Sequence, residues 1–285
     1  MKISDFNNLK RLSTPRGEVL SIYSDSRLIW RFGSYTLNNN DWETIREISD
    51  MGLAESYWAV GDRKEVILNG TCGDLTFNNE AYWCFIIGFD HNSEYEGTNR
   101  IHFQFGFKTK TSESPIAFVS NYWSIGSGFC INLDLTNENG WAGSHMRNTT
   151  CPQFKACLPT DMQAAIKTVV KWTDNVGGNS DIASNVTATT EEIFLLSEYE
   201  VFGYQDLANN AEQEYQQEYP FYKTTAELYR DGHTGEHTYV SWALRSPDMT
   251  GAISYRGQRF CAADYYGCEA LDANFSEGFS PAFCV

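Results

Sequence analysis

The sequence predicts an α+β fold of short, mainly antiparallel strands with two or three helices, preceded by a small N-terminal β hairpin. Three observations lead to this class. Apolar and polar residues alternate from Ile101 to Phe107, as in a strand with one buried face. Two other segments repeat apolar residues at helical spacing. The C-terminal residues 241–285 contain several short strand-like runs between turn residues.

The N-terminal residues 1–35 differ in charge from the rest of the chain. They carry six basic and three acidic side chains, whereas the whole chain has a net charge of −16. Glu18–Tyr23 and Arg27–Trp30 predict two strands around a turn at Asp25 and Ser26. A hairpin of this size needs a partner surface to be stable. We therefore expect residues 1–35 to attach the chain to other proteins, the alternative being ordinary solvation of these charges.

The next elements follow from capping residues and apolar patterns. Asp41 is a helix-capping residue, and Trp42, Ile45 and Ile48 follow at helical spacing. The uninterrupted apolar run Trp83–Phe89 predicts a buried central strand. In the alternating strand 101–107, His102 falls on the polar side, and we interpret it as a surface histidine.

A second helix is predicted after Pro159. Its apolar stripe consists of Met162, Ala165, Ile166 and Val169, which leaves Lys167 and Lys171 on the solvent side. The run from Ile193 to Leu196 predicts a buried strand that continues through Val201–Gly203. Residues 205–222 are acidic and rich in tyrosine, and we expect them to be helical in part.

Composition and motifs exclude several functions. The acidic balance argues against nucleic-acid binding, and no apolar run approaches the roughly 18 residues of a membrane helix. The sequence has no Gly-rich phosphate loop, HExxH or GxSxG motif, so we expect no enzyme activity and no cofactor. None of the eight cysteines forms CxxC. We expect buried free thiols rather than a metal site, with disulfides as the alternative.

Successive blocks of the chain resemble those of a known family. The blocks are Tyr57–Asp62, Phe85–Asn92, Gly140–Trp141 with Ser144, Met146 and Arg147, Leu158–Pro159, Ile166–Val169, Phe194–Gly203, Ser241–Pro247 and Pro281–Val285. That family is an uncharacterised domain of gut-phage tail proteins and bacterial surface proteins. It resembles in turn the C-type-lectin-like variable proteins of diversity-generating retroelements. The resemblance spans roughly residues 36–285.

This resemblance implies a C-type-lectin-like domain over residues 36–285, without enzyme activity, whose segment 241–285 displays ligand-contacting side chains. The expected ligand-binding residues are Asp248, Met249, Tyr255, Arg256, Asp264, Tyr265, Tyr266, Glu269, Asp272, Asn274 and Phe275. Aromatic side chains there could stack on sugar rings or bury against a protein, and acids could accept sugar hydroxyls.

The expected function is that of a phage virion tail protein, at a tail tip, fibre or baseplate, that binds a host surface glycan or protein. Such a protein is assembled in the host cytoplasm, does not insert into membranes, and meets other tail proteins through residues 1–35. Because a single surface of this kind binds weakly, we expect a homo-oligomer, a trimer in the first instance. One alternative is a purely structural baseplate or fibre-joining protein. Another is an enzyme related to the sulfatase-modifying group, which needs reactive or copper-binding cysteines such as Cys261 and Cys268.

Overall fold

The fold is α+β, and it is known from a computed structural model. The structure describes residues 12–15, 17–24, 26–107, 118, 124–126, 128–178, 181–224, 233–234, 238–239, 241–251, 255–264 and 267–285. Across these residues, every helix is too short or too polar to cross a membrane.

The described helices are short. They are α1 (Trp42–Asp50), α2 (Ala54–Tyr57), α3 (Ser93–Glu96), α4 (Gly140–Gly143), α5 (Cys151–Cys157), α6 (Thr160–Ala165), α7 (Glu198–Phe202) and α8 (Pro220–Thr224). A π-helical turn, Met146–Thr150, leads into α5. Three single 3-10 turns cover Leu37–Asn39, Ala183–Asn185 and Asn210–Glu214.

The described strands are more numerous and mostly antiparallel. In chain order they are β1 (Ser13–Thr14), β2 (Gly17–Glu18), β3 (Ser21–Ser24), β4 (Arg27–Arg31), β5 (Arg63–Cys72), β6 (Leu75–Phe89), β7 (Ile101–Phe107), β8 (Val169–Asp174), β9 (Val186–Glu191), β10 (Ile193–Phe194), β11 (His233–Thr234), β12 (Thr238–Tyr239), β13 (Trp242–Pro247), β14 (Arg259–Asp264), β15 (Gly267–Asp272) and β16 (Ala282–Cys284).

A five-stranded antiparallel sheet forms the centre of the fold, in the order β10-β16-β7-β6-β5. The C-terminal strand β16 lies between β10 and β7, with Phe283 paired to Ile193 on one side and to Phe103 on the other. The end of the chain is therefore part of the core, and Val285 is fully buried.

A three-stranded sheet, β13-β14-β15, carries most of the C-terminal segment. All of β13 is buried, and its Arg245 and Ala243 amides donate to the Leu196 and Gly278 carbonyls. Strand β14 pairs with β15 from Arg259↔Asp272 to Asp264↔Gly267. The segment predicted to display side chains is thus anchored on a buried strand.

Several sequence predictions are confirmed. The N-terminal hairpin exists as β3 and β4, and Asp41 caps α1 by accepting a hydrogen bond from the Thr44 amide. The Trp83–Phe89 run lies in β6, which has a neighbouring strand on each side. Seven of the eight cysteines are buried, as expected of small apolar side chains, and Cys268 is partly exposed.

The assignment of His102 to the surface is wrong. The polar side of β7 is covered by Tyr219 and Tyr222 from the acidic 205–222 stretch. Tyr219 contacts His102, and Tyr222 donates to the Gln104 side chain. Both tyrosines are fully buried, so this acidic stretch closes one face of the central sheet.

Two further element predictions are wrong. The helix after Pro159 ends at Ala165, and the chain from Val169 to Asp174 is a strand with Lys171 buried. The apolar residues of the short helix and of the strand after it happen to recur at helical spacing, so the sequence pattern predicted one longer helix. The strand at Ile193 ends at Phe194, because Ser197 and Glu200 form a capping box that starts α7.

Candidate functional site

The base of the β14–β15 hairpin is the place where exposed residues of the C-terminal segment meet other loops. We call this region the hairpin-base surface: Arg259 and Asp272, the neighbouring residues 255–258 and 273–276, and the loops 124–126, 128–139 and 175–178 bonded to them. The Gly126 amide donates to the Asn274 carbonyl, and the Asn132 amide donates to the Ala273 carbonyl. Phe275 forms an isolated β bridge with Ile125.

Asn137 holds these loops together. Its side-chain amide donates to the carbonyls of Asp248, at 3.3 Å, and Arg259, at 2.8 Å. Its side-chain oxygen accepts from the Gly178 amide at 2.9 Å, and its own backbone amide donates to the Gly257 carbonyl. Because Asn137 is fully buried, these bonds are shielded from competing water, and one side chain fixes the relative positions of four segments.

The loops of this surface expose large apolar side chains. Tyr255 is 44% exposed and Ile125 is 67% exposed. Leu133, Leu135 and Val176 are also exposed. Soluble monomers rarely gather exposed apolar residues on adjoining loops unless the surface binds something.

An arginine orders the polar part of this surface. The Arg259 guanidinium lies 4.0 Å from the Tyr255 ring centroid and donates from Nε to Asp272 Oδ1 at 2.9 Å. The exposed Arg256 lies beside this group in the sequence. A ring held flat against a paired guanidinium loses little conformational entropy when a ligand binds.

The structure separates the residues that the sequence placed in one site. Tyr255, Arg256, Asp272, Asn274 and Phe275 belong to the hairpin-base surface. Asp264 closes the opposite end of the hairpin by accepting from the Gly267 amide. The two ends are five residues apart along β14, which is roughly 17 Å.

Three predicted site residues take structural positions. Asp248 is buried and accepts hydrogen bonds from the amide and hydroxyl of Thr250. Met249 is buried as well, and its amide donates to the Leu207 carbonyl. Glu269 is half-buried and accepts from the Ser241 hydroxyl, and burial raises the pKa of its carboxyl. Tyr265 and Tyr266 lie outside the described residues.

Sequence reasoning missed Asn137, Arg259 and the exposed aliphatic residues of the neighbouring loops. Their loops approach the C-terminal segment only in the folded chain. The glycines that permit this approach were visible: Gly177 has a φ of +68°, and a Cβ there would lie 2.0 Å from the Asn137 carbonyl oxygen. Only glycine fits at this contact.

A second group of charged side chains lies fully inside the protein. The Lys171 ammonium donates to Glu96 Oε2 at 2.8 Å, to Glu200 Oε1 at 2.9 Å and to the Tyr219 hydroxyl at 2.9 Å. Arg245 also pairs with Glu200 and donates to the Leu195 carbonyl. Two cations and two carboxylates balance one another there, as buried charges must.

The pKa shifts in this network follow from burial and charge. Burial favours a protonated Glu200, but the nearby Arg245 and Lys171 outweigh it and hold the pKa of Glu200 far below its ordinary value. Burial lowers the pKa of His102 well below its usual range, so the imidazole is neutral. Burial raises the pKa of the Glu212 carboxyl to about 7.

His91, Glu96 and His102 place three potential metal-ligating atoms within 4.8 Å of one another. The Lys171 ammonium already binds Glu96 from this side and supplies the positive charge that a metal would bring. Tyr219 stacks on His91 with ring centroids 3.6 Å apart and closes the space. We therefore assign this group to the support of the fold.

Comparison with protein families gives a match over residues 130–285, to the family described as "Domain of unknown function (DUF6273)". The chain belongs to the DUF6273 family. Comparisons with curated proteins and with solved structures find no match.

The DUF6273 match contains β13 to β16, Asn137 and most of the hairpin-base surface. Strands β5, β6 and β7 precede it, yet they share one sheet with β16 and β10. The DUF6273 residues thus complete their main sheet with strands contributed by the preceding part of the chain.

Proposed function

We propose that this protein is a phage virion tail protein that binds a host cell-surface receptor through the hairpin-base surface. One observation carries the proposal. The exposed Tyr255 lies in a segment whose Gly257 and Arg259 carbonyls are bonded to the buried Asn137, in the loop that exposes Leu133 and Leu135. Recognition surfaces combine these features, because rigid loops lose little entropy on binding.

The family resemblance of the sequence supports this role. It links the chain to an uncharacterised domain of gut-phage tail proteins and bacterial surface proteins and, through it, to C-type-lectin-like variable proteins. The α+β class and the C-terminal strand held inside the sheet are compatible with that likeness. In such proteins a stable core leaves the intervening loops free to contact a ligand.

The chemistry of the surface favours a host glycan or protein as the receptor. Tyr255 offers a ring to a sugar face or an apolar side chain, and Asp272 and Asn274 offer hydrogen-bonding groups beside it. Arg256 adds an exposed positive charge to a chain of net charge −16.

The proposal also includes attachment to other tail proteins and assembly as a homotrimer. The N-terminal segment fits both. The β3–β4 hairpin exposes Tyr23 and Leu28, and Tyr35 is exposed just after it. Exposed apolar side chains on a small hairpin suit a protein contact. Light scattering on the purified chain tests the trimer, and a strict monomer at high concentration would contradict it.

Receptor binding is tested by adsorption of the fluorescently labelled protein to host cells. The double variant Tyr255→Ala/Arg256→Ala is expected to bind at least about tenfold less, with an unchanged melting temperature. The matched control is Tyr204→Ala, because Tyr204 is 43% exposed but lies near Gly267, at the far end of the hairpin.

Equal losses in both variants would contradict a role for the hairpin-base surface. A wild-type protein that enters particles but never adsorbs to cells would favour the alternative, a structural baseplate or fibre-joining protein.

A further inference from the structure

We propose that Glu198, Cys261 and Cys268 bind Zn²⁺, and that the ion ties helix α7 to the β14–β15 hairpin. One oxygen and two sulfur atoms of these residues lie within 4.8 Å of one another. The Cys261 Sγ is 3.8 Å from Glu198 Oε2. Tetrahedral zinc with two thiolates and a carboxylate needs ligand atoms about 3.5–3.8 Å apart, so only small side-chain movements are required.

The register of the hairpin favours a metal over a disulfide. Cys261 faces Ala270 and Cys268 faces Ala263, so the two cysteines are diagonal neighbours on one face of the sheet. Diagonal pairs lie about 7–8 Å apart, beyond the usual Cα separation of a disulfide. A bridging ion spans this separation without moving the backbone.

The carboxylate is held in place by the backbone. Glu198 accepts from the amides of Asp206, at 2.8 Å, and Ala208, at 2.7 Å, and also from the Leu207 amide. Hydrogen bonds of this kind orient a metal ligand and leave further lone pairs for the ion. Helix α7 is thereby already fixed against the loop 206–208.

The surrounding charges favour a cation. The carboxylates of Glu198, Asp206 and Glu212 lie close enough to the two thiols to act on them electrostatically, so the site carries negative charge that a cation would offset. Zinc binding would release one proton from each thiol to the solvent, and the ion would neutralise the resulting thiolates.

Of the three proposed ligands, Cys268 is the most exposed to solvent. This residue is the only cysteine of the chain that is not fully buried, and it follows Gly267, which faces the Tyr204 hydroxyl. Its partial exposure also makes it the substitution least harmful to folding.

The proposal is tested by titrating the reduced, chelator-treated chain with Zn²⁺ and with Cd²⁺. We expect one Zn²⁺ per chain by calorimetry, with proton release, and an ultraviolet thiolate-to-cadmium charge-transfer band. Cys268→Ser should lower the affinity at least tenfold and weaken the band. The control is Cys157→Ser. The Cys157 thiol lies close enough to the Cys72 thiol to raise its pKa, but among the described residues no third ligand completes a metal-binding group around this second pair of cysteines.

A wild-type chain without the cadmium band would overturn the site, as would a Cys268→Ser chain with unchanged affinity. If Cys157→Ser loses the band and Cys268→Ser keeps it, the metal binds at Cys72 and Cys157 instead, and the proposed site is rejected as well. These outcomes do not depend on cell adsorption, so they are separable from the receptor proposal.

Discussion

Arg259 and Asp272 face each other at the first rung of the β14–β15 hairpin, and their side chains form an ion pair of 2.9 Å. The same guanidinium lies against the Tyr255 ring. The pair therefore links the backbone register of a strand to the orientation of an exposed aromatic residue.

Asp272→Asn should impair binding more than stability. Both side chains of the pair are partly exposed, so its loss is expected to cost at most about 1 kcal/mol of unfolding free energy. Release of Arg259 loosens Tyr255, and adsorption to host cells should fall by about tenfold. Urea unfolding and cell adsorption measure the two effects. Glu192→Gln, which breaks the exposed pair with Lys155, is the control and should leave adsorption unchanged.

Lys171→Met should be strongly destabilising. It leaves Glu96 and Glu200 with one cation fewer in the protein interior, which is expected to cost about 3–5 kcal/mol. Lys155→Met removes a cation from an exposed pair and should cost no more than about 1 kcal/mol. Denaturant unfolding of both variants measures the difference, and similar losses would show that the buried network contributes little.

Gly177→Ala and Gly178→Ala should differ, although both glycines have positive φ angles. A methyl group at Gly178 meets no atom within 4 Å, so only backbone strain of about 1–2 kcal/mol is expected. At Gly177 the methyl group would collide with the Asn137 carbonyl and displace that loop. We expect a further loss of about 2 kcal/mol or more, measured by thermal unfolding. Equal melting temperatures would argue against close packing at Asn137.

Glu212 should make stability fall as the pH rises. Its carboxyl has a pKa of about 7 in the folded chain, against 4.5 when unfolded. The folded state therefore holds the proton more tightly, and its contribution is complete below pH 4.5 and lost as the pH rises through 7. The slope should reach about 1.4 kcal/mol per pH unit between these values.

Glu212→Gln cannot titrate, so the difference in unfolding free energy between it and the wild type should change with pH over this window. Chemical unfolding at several pH values measures that difference. A difference that stays constant from pH 4.5 to 7 would contradict the raised pKa.

Local patterns correctly predicted the elements whose stabilising contacts, or whose apolar character, lie within a few positions of the sequence. Asp41 caps its own helix, and the apolar run in β6 required a buried strand wherever it was placed. Local patterns misjudged His102, because a polar residue on a strand looks exposed until another segment covers it, and Tyr219 provides that cover from 117 residues away. They misjudged Lys171 because it was assigned to the solvent side of a helix, whereas it lies in a strand and its side chain is bound by Glu96, Glu200 and Tyr219.

The candidate site was likewise predicted only in part from the sequence. The sequence resemblance predicted binding residues in the segment 241–285, and Tyr255 and Arg256 are exposed there. It could not show that Asp248 and Met249 are buried, or that Asp264 and Asp272 lie at opposite ends of one hairpin. Strand pairing decided the second point, and the packing of β13 into the core decided the first.

The sequence by itself determined the α+β class, the N-terminal hairpin and the acidic character of this DUF6273 protein. Net charge follows from composition, and capping residues and short-range periodicity depend on neighbours within a few positions. None of these properties requires contacts between distant parts of the chain. Tertiary structure alone decided that Asn137 joins four segments of the chain, that Lys171 is buried between two glutamates, and that Glu198 lies close to two cysteines. Each of these depends on contacts between distant parts of the chain, which form only when burial of the shared core brings them together.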